Sequence, residues 1–313
     1  MTHKTQVQML IVDESSEGQR IDNFMFVKFK NVPKSKIYNV IRKGEVRVNK
    51  KRVKPLYKLH IGDHVRLPPL SIEIASTSAN LQPKTSIIGE LEKNVIYEDQ
   101  NFLILNKPYG IASHGGSGIN FGVIESLRAS SIKRHYLELV HRLDRDTSGC
   151  LILAKKRSTL KYLHELLRKN EIIKKYLTLV QGEWRRERRI DLPLLKSEIS
   201  SGERIVKTSA DGKEALTIFR PLRFFDQATL LEVELGTGRT HQIRVHAASA
   251  GHPIAGDEKY GDKDFNRYMK TKGLKRMFLH AYSLSFYLPT GQKFTIEAEL
   301  PVELKEILNF ESI

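Results

Sequence analysis

The sequence predicts an α+β protein, a large and mainly antiparallel sheet domain preceded by a small basic one, and three observations predict it. Strand-like apolar runs recur between Asn94 and Ala298 without the strand–helix alternation of a doubly wound sheet. Positive charge is concentrated early in the chain: Lys28 to Lys58 holds twelve Lys/Arg and one acid, Glu45, a local net of +11. Between these regions, Ala75 to Ser86 consists mainly of Ser, Thr, Ala, Asn, Gln and Pro, the make-up of a linker. A chain of 313 residues suits one large and one small domain. The expected boundaries are 1–75 (core about 19–70), a linker over 76–92, and the large domain over 93–313.

In the small domain, Ile21, Phe24, Met25 and Val27 fall at helical spacing within Gln19 to Phe29. Pro33 stops that helix, and Ser35 is the expected N-cap of a second one. Its apolar face is Ile37, Tyr38, Val40 and Ile41, and Gly44 is the expected residue past its end. Val46 and Val48 then alternate with Arg47 and Asn49 as in a strand, and Gly62-Asp63 is a turn before Val65-Arg66-Leu67. Two helices and a hairpin with basic residues outside make a compact RNA-binding module.

In the large domain, strands are expected at Val95 to Tyr97, Phe102 to Leu105, Leu137 to His141 and Cys150 to Ala154. A helix capped by Ser158 follows, with Leu160, Leu163, Leu166 and Leu167 inward. Further strand signals lie at Ala228 to Leu235, Met277 to Tyr287 and Phe294 to Ala298.

Composition narrows the function. The chain carries 52 Lys+Arg against 36 Asp+Glu, a net of +16, so a polyanionic partner is expected. Its 40% hydrophobic content excludes a disordered chain. Cys150 is the single cysteine, which excludes an intramolecular disulfide and a cysteine-built zinc site. No run approaches the ~18 apolar residues of a membrane span, and Met1 to Asp13 lacks the features of a signal peptide. A cytoplasmic location is expected.

Four polar clusters can carry chemistry. His141-Arg142-Leu143-Asp144-Arg145-Asp146-Thr147-Ser148-Gly149 lies between two apolar strands, where a rigid scaffold presents reactive groups. Cations on both sides of Asp144 favour its ionised form. Gly236-Thr237-Gly238-Arg239-Thr240-His241-Gln242-Ile243-Arg244-Val245-His246 runs from a strand into a helix whose first N–H groups suit phosphate. The others are Leu105-Asn106-Lys107-Pro108-Tyr109-Gly110, leading to His114-Gly115-Gly116-Ser117-Gly118, and Lys174-Lys175-Tyr176.

Two resemblances follow from these residues. Gln19 to about Leu70 resembles the S-four-like RNA-binding domain found in a ribosomal protein and in many RNA-modifying enzymes. It does so through Arg20-Ile21-Asp22, Ser35, Ile41 to Asn49 and Gly62-Asp63. The four clusters together resemble the pseudouridine synthases of the bacterial large-subunit ribosomal RNA family, whose signature H-R-L-D-x-x-T-S-G stands unbroken as His141 to Gly149. That resemblance implies a bent-sheet catalytic domain, isomerisation of uridine to pseudouridine in 23S ribosomal RNA, and no cofactor or metal. The ribose–nitrogen bond of uridine is cleaved, the base turns in its pocket, and the sugar rejoins at carbon 5.

By the same resemblance Asp144 is the catalytic aspartate, as nucleophile or as base. Arg244 would pair with it, and Tyr176 would lie against the base and take the proton from carbon 5. Arg142 would help hold the RNA with its nucleotide flipped out. Arg145, Lys107, Arg239 and His241, with Arg42, Lys43, Arg47 and Lys50 of the small domain, are further expected RNA contacts. No obligate protein partner is expected.

Rival readings fit less well. His241 and His246 are five residues apart, about 140° around a helix, unlike the i, i+4 zinc pair. Asp257 to Asp262 lacks the acids of a calcium loop, and Gly115 to Gly118 is followed by no Gly-Lys-Ser/Thr. A base deaminase needs a cysteine pair. A non-catalytic assembly factor of the same shape would have no need of Asp144.

Overall fold

The computed structural model describes residues 2–4, 6–13, 16–29, 32–73, 83–116, 121–132, 134–198 and 204–310. The chain divides into a smaller compact unit, Met1–Gln82 with Lys156–Ser158, and a larger one made of the rest.

In the smaller unit, helices Ile21–Lys28 and Lys34–Arg42 pack on a four-stranded antiparallel sheet in the order Gln8–Ile11, His64–Leu67, Arg47–Val48, Lys51–Arg52. The core is the apolar stripe of each element: Ile21, Phe24 and Met25 from the first helix, Ile37, Val40 and Ile41 from the second, Val48, Val65 and Leu67 from the strands. The second helix starts two residues earlier than expected. Pro33 is its N-cap and Ser35 lies exposed within the first turn, because the fixed φ of proline already presets helix entry. Gly44 follows its end with φ +73°. Asn49 and Lys50 both take positive φ (49° and 66°), which closes the Arg47–Arg52 hairpin with the twist of its strands.

The larger unit is built on a ten-stranded sheet. Its main path runs Arg188–Asp191, Leu216–Phe224, Ala228–Leu235, Ile173–Gln181, Leu279–Tyr287, Ser148–Ala154, Phe102–Lys107, Val95–Glu98. Neighbours are antiparallel, as expected, except Ser148–Ala154 against Leu279–Tyr287, which pair in parallel at Ser148↔His280 and Gly149↔Ala281. Every residue of Ser148–Ala154 is buried, so this strand reads as a continuous apolar run rather than an alternating one. One buried cluster gathers Leu103, Leu105, Leu151 and Leu153 with Tyr176, Trp184 and Phe219; a second gathers Phe102, Ile104 and Ile152 with Leu163 and Phe286.

Two local expectations need correction. The linker expected over 76–92 is in part helical: Thr85–Lys93 is a helix whose Leu91 is fully buried in the larger unit, because Ile87 and Leu91 share one face. The remainder, 76–82, lies outside the described residues. The helix expected to be capped by Ser158 begins at Arg157 and runs to Arg168. Among the described residues no helix is long and apolar enough to cross a membrane.

Candidate active site

The His141–Thr147 loop leaves the sheet just before strand Ser148–Ala154 and is pinned from three sides. Ser113 Oγ donates to the carbonyl of Leu143 (2.7 Å) and accepts from its N–H (3.0 Å). Gly110 N–H donates to the carbonyl of Arg145 (2.9 Å), and Thr147 N–H to that of Asp144 (3.1 Å). At the loop's exit Gly149 has φ +110°, and a Cβ there would stand 2.2 Å from the carbonyl oxygen of Ala281. Only glycine permits the parallel strands to meet at that point. Ser148 Oγ, buried beside it, contacts His280 Nδ1 (2.9 Å) and accepts from Arg276 Nη2 (2.7 Å).

Lys107 corrects an expectation. Predicted to touch RNA, it is fully buried, and its Nζ donates to the carbonyls of Pro108 (2.7 Å), Ile111 (2.8 Å) and Arg145 (3.2 Å). Burial pushes its pKa down to about 7, with the Arg276 charge adding to the shift. The three acceptors work the other way, since an ammonium can reach all of them and a neutral amine, with two N–H, cannot. Lys107 ties the end of its strand to the His141–Thr147 loop.

The opposite wall is the turn from strand Ala228–Leu235 into helix Gln242–Ser249, with His241 at the N-cap in the left-handed region (φ 54°). Gln242 explains the turn. Its buried amide oxygen accepts from Thr237 Oγ1 (2.8 Å) and Arg239 N–H (3.0 Å), and its nitrogen donates to the Leu216 carbonyl (2.9 Å) and Thr217 Oγ1 (2.9 Å). The amide thereby uses its full hydrogen-bonding capacity, which fixes the loop without any charge.

Between the two walls lies a cavity of about 870 Å³, lined among others by Asp144, Tyr176, His241 and Arg244. Arg244 Nη1 and His241 Nε2 each stand 3.8 Å from Asp144 Oδ2. Arg244, however, makes its hydrogen bonds to Asp257, with Nε donating to Oδ2 (2.7 Å) and Nη2 to Oδ1 (2.8 Å). Both side chains are buried. Asp257 Oδ1 also accepts the N–H groups of Lys259 (2.9 Å) and Tyr260 (3.0 Å). Burial works to raise the Asp257 pKa, but Arg244 and these donors outweigh it and hold the carboxyl below its ordinary value. The Arg244 guanidinium lies 5.0 Å from the centre of the Tyr260 ring. Tyr260 Oη accepts from Val206 N–H (2.9 Å), which leaves its proton for His241 Nδ1 at 2.9 Å. With Nδ1 as acceptor, the imidazole proton sits on Nε2, facing Asp144. Burial lowers the His241 pKa and favours this neutral form.

Tyr176 is 7% exposed, in strand Ile173–Gln181, opposite Val233 and within the register shift between Lys175 and Leu177. Burial first, then the charge of Asp144, pushes its pKa well above the ordinary tyrosine value. His141 is held neutral, its pKa about 4 through burial and the nearby Lys174 ammonium, and its Nε2 accepts the N–H of Ile152 (3.2 Å). Arg142 is exposed, with Nη1 on His114 Nε2 (2.6 Å). Arg145 is exposed and pairs with Asp146 (3.1 Å), and Arg239 is exposed at the cavity with Nε on the Glu214 carbonyl (3.0 Å).

Arg42, Lys43, Arg47 and Lys50 all stand exposed on the smaller unit. Arg52 Nη2 donates to the Lys43 carbonyl (2.9 Å) and so holds the hairpin against the end of helix Lys34–Arg42. Among the described residues, no group of three or more His, Cys, Asp or Glu is placed to hold a metal ion. His246 and His280 instead contact the carbonyl oxygens of Leu192 (2.9 Å) and Ala298 (3.1 Å) through Nε2.

Asp257 and Tyr260 were missed by the sequence reading, which weighed that segment only as a calcium loop. The available signal was the pair of glycines around them. Gly256 has φ +75°, and a Cβ at Gly261 would lie 2.1 Å from the Asp257 carbonyl oxygen.

Residues 101–249 match the RNA pseudouridylate synthase family and residues 19–65 the S4 domain. "Ribosomal large subunit pseudouridine synthase C" of Pasteurella multocida is 53% identical over 96% of this chain and 93% of its own length. The protein of the same name from Escherichia coli is 50% identical over 98% of this chain and 97% of its own. Human RNA Pseudouridylate Synthase Domain Containing 4 shares the fold, with a TM-score of 0.58 at 24% identity over 72% of this chain and 95% of that one.

Proposed function

The chain belongs to the RNA pseudouridylate synthase family and is an RNA-modifying isomerase, and from that premise we propose that it converts uridine to pseudouridine in 23S ribosomal RNA, with Asp144 starting the reaction. The observation that carries the site assignment is the Asp144 carboxylate in the cavity, 3.8 Å from both Arg244 and His241. Arg244 is itself neutralised by Asp257, so it lends Asp144 a positioned dipole and a weak ion contact rather than a full countercharge. The carboxylate then keeps its reactivity towards the ribose–uracil unit while its orientation is fixed.

Tyr176 supplies a flat, buried face for the flipped uracil. Its raised pKa favours packing against the base over removal of the carbon-5 proton, because burial and the Asp144 charge both oppose a phenolate. A cavity of about 870 Å³ between two hydrogen-bonded walls is large enough to let the detached base turn. Arg142 and Arg239, exposed at this cavity, face the RNA backbone, and the basic patch of the smaller unit adds affinity. The names of the relatives point to the large ribosomal subunit, and hence to a cytoplasmic enzyme.

The test is to incubate the purified protein with transcripts of 23S and 16S ribosomal RNA and of transfer RNA, and to map pseudouridine chemically. Pseudouridine at discrete positions of the 23S transcript is expected. Modification of transfer RNA alone would overturn the 23S reading.

A further inference from the structure

Lys174 is 8% exposed, lines the cavity, and among the described residues has neither a hydrogen-bond nor an ion-pair partner. It differs in this from the other buried cations of the larger unit. Lys107 has three carbonyls, Arg244 has Asp257, and Arg276 has Ser148 and Glu303. Its neighbour Lys175, on the other face of the strand, donates to Glu232 (3.1 Å). The ammonium is not among the fully buried unpartnered atoms, so it opens to the cavity, where an anion can complete it in place of an acceptor from its own chain. Burial accordingly lowers its pKa in the free protein.

The position says which anion. Lys174 and Tyr176 are two residues apart on one strand and share the face that lines the cavity. That places them about 6.6 Å apart along the strand, the scale on which a sugar separates a base from its phosphate. Lys174 lies beside the Gly238 turn, with Nζ 3.9 Å from where a Cβ of Gly238 would stand. Arg168 and Arg239, both exposed, line the same cavity and extend the positive charge outward from Lys174. A polyanion entering between Arg168 and Arg239 meets positive charge on its way to Lys174, with Glu214 and Asp144 the acids that line the same cavity.

We propose that Lys174 binds a backbone phosphate next to the target uridine, so that the base lies against Tyr176 while the phosphate completes the buried ammonium. The proposal rests on the reading of this cavity as the uridine site. Lysine suits the task as a point charge that accepts a phosphate from several directions.

The experiment uses the full-length Asp144→Asn protein, which is expected to bind RNA without converting it. It is paired with an RNA fragment containing one uridine that the wild-type enzyme modifies. Affinities are measured with and without Lys174→Met, for RNA carrying a single neutral methylphosphonate on either side of that uridine. Lys174→Met should weaken binding about tenfold and lower the slope of log affinity against log salt by roughly 0.7–0.9. At one of the two linkages the methylphosphonate should cost about as much, and combining it with Lys174→Met should cost nothing further. Since the substitution removes a buried unpaired charge, the free variant should melt at or above the temperature of its parent. Additive losses at both linkages, or unchanged affinity in Lys174→Met, would overturn the assignment. The two readings fail separately, because conversion of RNA by the Asp144→Asn protein sinks the site reading whatever the linkages show.

Discussion

In the smaller unit Arg42, Lys43, Arg47 and Lys50 stand exposed around one helix end and one hairpin, whereas in the larger unit Lys107, Arg244 and Arg276 are buried and point at oxygens of their own chain. The residue types are the same and the tasks are opposite. An exposed cation contributes to binding a polyanion over a range of directions, and its effect is screened by salt. A buried cation fixes the position of a loop or a carboxylate, and its removal leaves acceptors without donors. Counting Lys and Arg along the chain therefore locates the exposed basic surface of the smaller unit but misreads part of the larger one, where Lys107 serves the scaffold.

The difference can be broken experimentally, beginning with the buried pair. Arg244→Met leaves Asp257 charged, 1% exposed and without its guanidinium, which should cost roughly 3–5 kcal/mol of folding stability. Turnover should fall more than about a hundredfold, since Asp144 loses its positioning partner, while RNA affinity changes little. Chemical denaturation and single-turnover kinetics on the same preparation check both effects. A variant of normal stability with weakened RNA binding would place Arg244 with the surface cations.

A pH series sharpens the contrast. His280 is fully buried, and burial lowers its pKa from 6.5 to about 4. Between those values the unfolded chain holds a proton that the folded one refuses, so stability present near neutral pH is lost as pH falls from about 6.5 towards 4. The loss due to His280 should approach about 3 kcal/mol. Melting curves across this window should show the dependence, and His280→Gln should reduce it, leaving the share that His141 contributes. A melting temperature that holds constant down to pH 4 in the wild type would show that the imidazole is not held neutral.

The smallest effect on folding is expected in the smaller unit. Replacing Arg42, Lys43, Arg47 and Lys50 together by serine should leave the melting temperature within a few degrees. The slope of log affinity against log salt should still fall by about three units, if each residue meets one phosphate. Affinity titrations over a salt series decide it, and an unchanged slope would remove this patch from the RNA interface.

Much of this organisation was legible in sequence because it depends on neighbours in the chain. The Ile37, Val40, Ile41 stripe, the stop at Gly44 and the alternation through Val48 are local patterns, and the structure keeps them. The His141 to Gly149 loop was legible as a site through its resemblance to a family signature that is contiguous in the chain. Asp257 was not, since it reaches Arg244 only after the chain leaves helix Gln242–Ser249 and turns back. Lys107 was misplaced for a related reason. Its acceptor on Arg145 lies 38 residues ahead, and nothing beside it in the chain announces burial. The parallel meeting of Gly149 with Ala281 joins strands 132 residues apart, which periodicity cannot register.

The separation of binding from chemistry rests on one carboxylate. Single-turnover formation of pseudouridine should be measured for wild-type and Asp144→Asn protein at saturating RNA, with the dissociation constant of each determined in parallel. Asparagine keeps the shape of the side chain and removes its charge, so affinity should stay within about threefold while the rate falls by at least a thousandfold or so. A rate close to wild type would contradict the assignment of Asp144, and with it the account of what Arg244, His241 and Asp257 are arranged to do.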